Sequence, residues 1–149
     1  MNEGEIFPSY KALGERQVER LSLSDAYSEE AVALYEQGNE QLDAKDFSGA
    51  VASYDRALEI QSDYHQAWHN RGVALGNLGQ YEQAIASFDK ALEIQHECPY
   101  AWLNRSVALE NLGRHEEAIA SLDKALDIKS DDHYAWFIRG VALDHLGQY

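Results

Sequence analysis

One 34-residue pattern is written twice in residues 65–132: HQAWHNRGVALGNLGQYEQAIASFDKALEIQHEC is followed without a gap by PYAWLNRSVALENLGRHEEAIASLDKALDIKSDD, and 20 of the 34 positions are identical. Unrelated segments do not agree to that degree. A period of this size belongs to solenoids and arrays, in which each unit buries its apolar face against the next rather than in one shared globule. Residues 31–64 carry a weaker copy and residues 133–149 the first half of another, so Trp68, Trp102 and Trp136 recur in register, with Leu34 at that place in the first copy. Only Pro8 and Pro99 interrupt the chain, and no stretch alternates with a period of two, so helices are expected throughout.

Within a unit the local signals agree. Ala84, Ile85, Phe88, Ala91 and Leu92 form one stripe of helical period, repeated by Ile119, Leu122 and Leu126. Ser28 followed by Glu29 and Glu30 reads as a helix start, with acids where the helix dipole favours them. Gly79, Gly113 and Gly147 stand where the first helix of a unit should end in a left-handed residue. Lys45 holds that place in the first copy, where a strained or differently shaped turn is expected. Two small-residue columns, Gly38/Gly72/Ser106/Gly140 and Ala50/Ala84/Ala118, mark close crossings between the two helices of a unit.

The unit resembles the tetratricopeptide repeat (TPR), a helix-turn-helix motif whose pattern Trp68, Gly72, Ala84, Phe88 and Ala91 match as they stand. Three departures recur with the period: Arg71, Arg105 and Arg139 replace a leucine, Leu75, Leu109 and Leu143 a tyrosine, and Ser62, His96 and Ser130 a proline. The resemblance covers residues 31–149, as repeats 31–64, 65–98 and 99–132 and a half repeat 133–149. It implies an all-α, right-handed superhelical solenoid. Residues 1–28 repeat nothing; Pro8 and Ser9 open a segment with Leu13, Val18 and Leu21 on one side. That segment reads either as a cap on the first repeat or as a competitor for the binding groove.

An arginine in place of an apolar residue needs a partner. Asp55, Asp89 and Asp123 form a second charged column, and Arg71, Arg105 and Arg139 are expected to reach it across adjacent helices. The alternative is an arginine whose stem packs while its head stays in water.

The resemblance implies a protein-protein interaction scaffold that takes a peptide or a partner's helix in a concave groove lined by the first helices. Carried over by column, the floor would hold Tyr35, His69, Leu103 and Phe137, then Asn39, Val73, Val107 and Val141, with Gln66, Tyr100 and Tyr134 beside them. Asn77 and Asn111 at the edge offer amides to a ligand backbone, and Glu110 and Asp144 add negative charge along one rim. Some family members clamp acidic chaperone tails with lysine, arginine and asparagine; here Tyr35 stands where such a lysine would be, with Asn39 nearby. The ligand expected instead has apolar anchors and a basic flank. A second reading is self-association, or a structural module of a larger protein, through Trp136, Leu143 and Leu146 of the last helix.

A net charge of −14 opposes nucleic acid and anionic membranes and favours a basic partner segment. A single cysteine, Cys98, excludes an internal disulfide, and with no signal segment or long apolar run a cytoplasmic setting is expected. His65 with His69, and His96 with Cys98, are pairs too sparse for a structural zinc site, and the histidines are read as solvent-exposed residues at loop and groove positions. Neither a metal, another cofactor nor an enzyme activity is expected, because no pair of carboxylates converges on one cleft and no glycine loop could cradle phosphate.

Overall fold

The computed structural model describes residues 27–147, which form seven helices in sequence and no strand: α1 (Glu29–Asp43), α2 (Phe47–Ile60), α3 (His65–Asn77), α4 (Tyr81–Ile94), α5 (Pro99–Asn111), α6 (His115–Ile128) and α7 (His133–His145). The expectations about residues 1–26 lie outside the described residues.

Side-chain caps open three of the helices. Ser28 Oγ accepts from Ala31 N–H at 3.2 Å, Asp46 Oδ1 from Gly49 N–H at 3.0 Å, and Asp132 Oδ1 from Tyr134 and Ala135 N–H at 3.0 and 3.1 Å. Gly79, Gly113 and Gly147 take φ of 77°, 74° and 70° just past α3, α5 and α7. Lys45 takes φ 63° past α1, with its N–H on the Leu42 carbonyl at 3.0 Å, as Gly79 N–H sits on Gly76. The first turn therefore has the same shape as the others, and the lysine bears the strain of a left-handed conformation.

The small columns work by size matching. A β-carbon on Gly38 would lie 2.5 Å from Tyr54 Cε1, and one on Gly72 2.6 Å from Phe88 Cε1. In the third unit the opposing ring is replaced by Leu122, and Ser106 fits, with its hydroxyl on the Leu103 carbonyl at 2.5 Å. Gly140 meets nothing within 4 Å. One core cluster runs from Ala31 to Ala118, built from both helices of each unit, and Leu103, Leu122, Leu126 and Ala135 form a separate one with Tyr134 and Ile138 of α7.

Two side-chain columns fix the register between units. Arg71, Arg105 and Arg139 donate from Nε to Oδ1 of Asp55, Asp89 and Asp123 at 2.6, 2.7 and 2.8 Å, so the expected arginine–aspartate column forms. Arg71 and Arg105 also donate from Nη1 to Ser87 and Ser121 Oγ, at 2.7 and 2.6 Å. Each of these two guanidiniums thus joins the preceding second helix to the following one. The indoles of Trp68, Trp102 and Trp136 donate to the Ser62, His96 and Ser130 carbonyls at 2.9, 3.0 and 2.9 Å.

Beyond their hairpin partners, α1, α3, α5 and α7 touch the next odd helix in turn, whereas α2, α4 and α6 do not touch one another. The stack therefore bends toward the odd helices, and their outer faces form its concave side.

Candidate functional site

The columns expected to line the concave side differ in burial. Tyr35, His69 and Leu103 of the floor column are buried, while Phe137, the fourth member, is 64% exposed. Val73 and Val107 are buried, and Asn39 and Val141 half-buried. Gln66 and Tyr100 are buried, and Tyr134 half-buried. The members that keep accessible surface are Asn39 on α1 and Tyr134, Phe137 and Val141 on α7.

The buried part is a polar ladder. Asn39 Oδ1 accepts from Tyr54 Oη at 2.6 Å and from Asn70 Nδ2 at 2.9 Å, and Asn70 Nδ2 also reaches Tyr35 Oη at 3.3 Å. One unit on, Asn104 Nδ2 meets His69 Nε2 at 3.2 Å. Burial pushes the Tyr54 hydroxyl well above its usual range, so it remains a donor. Asn70 and Asn104 were missed as site residues although they recur 34 positions apart; the signal was the column itself. Ile138 takes the same column in α7, and the ladder ends where the face opens.

Several expected roles change. Asn77 and Asn111 donate from Nδ2 to the Val73 and Val107 carbonyls of their own helices, at 2.9 and 2.8 Å, which leaves each with one N–H and its oxygen for a ligand. His69 is fully buried rather than solvent-exposed, because the Asn104 amide and the Phe88 ring, 5.6 Å away, cover it. His65 is half-buried, and burial lowers its imidazole from the ordinary 6.5 to about 4. Glu110 is no free rim acid: its oxygens meet His115 Nδ1 at 2.7 Å and His145 Nδ1 at 2.9 Å. Those three residues, which the sequence reading did not single out as metal ligands, are the group on the described residues whose donor atoms converge within 4.8 Å.

Tyr100 is flanked by Lys129, whose Nζ lies 5.4 Å from the ring centroid and 3.5 Å from the hydroxyl. The phenol of Tyr134 is raised by burial and then by Asp132, so it too stays protonated and can donate.

The tetratricopeptide repeat model matches residues 35–96 and again 70–133, in register with these hairpins. This chain belongs to the tetratricopeptide repeat family. Among solved structures it is similar to the TPR domain of Arabidopsis OM64, with 27% identity, a TM-score of 0.75 and coverage of 77% of this chain and 95% of that one. It is also similar to the first TPR of Spaghetti (RPAP3) bound to the HSP90 peptide SRMEEVD, at 20% identity, TM-score 0.79 and coverage of 81% and 96%. The TPR2B domain of yeast Sti1, in a complex with pHsp70, gives 22% identity, TM-score 0.73 and coverage of 82% and 100%. The TPR chain shares their helical solenoid. No helix among its described residues is long and apolar enough to cross a membrane.

Proposed function

We propose that this TPR chain is a non-enzymatic protein-interaction scaffold that seats an apolar segment of a partner on the concave face, anchored at α7. The observation that carries the reading is the contrast within the floor column: Tyr35, His69 and Leu103 are buried, whereas Phe137 is 64% exposed beside half-buried Tyr134 and Val141. An aromatic and aliphatic surface open at a concave face suits a helix laid into a groove. The Asn111 and Asn77 oxygens, at the edge, would accept from its backbone.

The Spaghetti and Sti1 structures hold chaperone-derived partners, which supports a peptide as the ligand class. The chemistry favoured here differs from that of an acidic tail such as SRMEEVD. Tyr35, Asn39, Gln66 and Tyr100 offer no cation, Lys129 is already engaged with Tyr100, and the chain carries −14. Its field draws in lysine or arginine flanking the apolar anchors and opposes nucleic acid and anionic lipid. A cytoplasmic setting accords with that role.

The test is fluorescence anisotropy with two labelled peptides, an amphipathic helix with basic flanks and SRMEEVD. The basic helix should bind, and Phe137→Ala should weaken it by about tenfold or more, ~1.4 kcal/mol. Binding of the acidic peptide alone, or binding that Phe137→Ala leaves unchanged, would overturn the reading.

A second reading is favoured by Trp136, which is 51% exposed on the same helix. Copies of this chain would then associate through Trp136, Leu143 and Leu146. Light scattering across concentration separates the two: a dimer that Leu143→Glu converts to a monomer supports self-association, and a monomer throughout removes it.

A further inference from the structure

Glu110 lies in the last turn of α5, His115 opens α6 and His145 closes α7. Three helix ends therefore deliver one carboxylate and two imidazoles to one point. The His115 and His145 ring centroids are 4.8 Å apart, and the donor atoms of all three residues lie within 4.8 Å of one another. The Glu110 side chain is only 11% exposed, His115 somewhat more, and His145 stands half in water at 50%.

We propose that Glu110, His115 and His145 form a binding site for one divalent cation of the zinc, cobalt and nickel class, and that the ion staples α7 to the α5–α6 hairpin. Two imidazoles and a carboxylate are a donor set that borderline metals favour, whereas calcium and magnesium prefer oxygen alone. Ligand bonds of about 2.0–2.2 Å place neighbouring donors roughly 3.3–3.6 Å apart around a tetrahedral ion. The present spacings of 2.7 and 2.9 Å need only small side-chain rotations to open to that range. Each histidine now meets Glu110 through Nδ1. To bind the ion, each ring presents its Nδ1 lone pair, with any ring proton on Nε2. The exposed side of His145 leaves room for water at the remaining coordination position.

The corresponding places at the preceding junction are Gly76, Tyr81 and Asn111, none of which is a good ligand for such an ion. A polar contact required by repeat packing would recur with the period. This one occurs only where α7 docks, and it fastens the end of that helix opposite to Asp132.

The experiment uses the full chain stripped of metal with chelator. Calorimetric titration with zinc(II) and nickel(II) should give one ion per chain, and cobalt(II) should develop the visible absorption of a nitrogen-ligated ion. His115→Ala, His145→Ala and Glu110→Gln should each weaken binding by more than the about tenfold that loss of an outer partner costs. Zinc should raise the thermal midpoint of the wild type and leave that of His145→Ala unmoved, because an ion bound only to the folded state stabilises it by mass action. His145 is half-exposed, so its removal leaves the fold testable, and His145→Gln keeps a donor to Glu110 while supplying no imidazole. The proposal is overturned by absence of saturable binding, by affinity unchanged in the two alanine variants, which would place the ion on His65, His96, Cys98 or His133, or by His145→Gln binding zinc as tightly as the wild type.

Discussion

Arg105 donates from Nε to Asp89 at 2.7 Å and from Nη1 to Ser121 at 2.6 Å, so one guanidinium fastens α5 to the helix before it and the helix after it. Arg71 repeats the relation with Asp55 and Ser87, and Arg139 keeps only the aspartate half, with Asp123. A residue that is apolar in the family pattern thus becomes a forked strut between units. The planar fork matters because a single ammonium cannot reach both acceptors with the same geometry.

Arg105→Met should lower stability by about 1–2 kcal/mol, read from chemical denaturation, since it leaves Ser121 Oγ without its donor. The ion pair itself supplies the smaller part. Asp89 is 47% exposed and water screens the pair, so a double-mutant cycle with Asp89→Ala should return a coupling of only ~0.5–1 kcal/mol. Arg105→Lys should recover less than half of the loss. Full recovery by lysine would show that charge alone, without the fork, holds the units in register.

The glycine column gives opposite signs in neighbouring units. Gly72→Ala drives a β-carbon to 2.6 Å from the buried Phe88 ring, and overpacking of that kind costs about 1–3 kcal/mol. Gly140→Ala meets nothing within 4 Å in the middle of α7 and should gain roughly 0.5–1 kcal/mol from helix propensity. Thermal unfolding of both variants checks the pair. A Gly72→Ala, Phe88→Leu double variant should recover most of the loss, because the third unit already combines Ser106 with Leu122.

What recurs with the period could be read from the sequence, and what depends on neighbours could not. The arginine–aspartate column, the glycine turns and the small-residue crossing each recur in two or more units, so alignment of the copies was enough to place them. His69 and Phe137 share one column, yet one is sealed under Asn104 and the other lies in solvent. Column position says which way a side chain points and nothing about what covers it. Glu110, His115 and His145 sit on three helices and recur in no other unit, so no periodic signal marked them. Asn70 and Asn104 did carry such a signal, but their role emerged only when Asn39 and His69 were found within reach.

Lys45 is the odd member of the left-handed turns. A residue with a β-carbon at φ 63° costs roughly 1–2 kcal/mol relative to a relaxed conformation, and glycine avoids that cost while losing more entropy on folding. The balance predicts that Lys45→Gly raises stability by about 0.5–1 kcal/mol, and that Lys45→Asn raises it by less. Lys45→Ala, which keeps the β-carbon and removes the charge, should change little. If alanine stabilised as much as glycine, the lysine charge rather than its φ would be the cause.

His65 opens α3 with its imidazole half-buried, and burial holds it at about 4 against an ordinary 6.5. The folded chain keeps the ring neutral while the unfolded chain takes up a proton below 6.5. Its contribution to stability is therefore complete above that pH and is lost as the pH falls from 6.5 toward 4. Allowing for the ring's partial exposure, the loss by pH 5 is on the order of 1 kcal/mol. His65→Gln cannot titrate, so the wild-type minus variant difference in denaturation free energy should shrink by that amount between pH 7 and 5, with carboxylates and the other histidines cancelling. A difference that stays constant across the interval would mean the ring gains a proton as readily folded as unfolded, and that water reaches it at the start of α3.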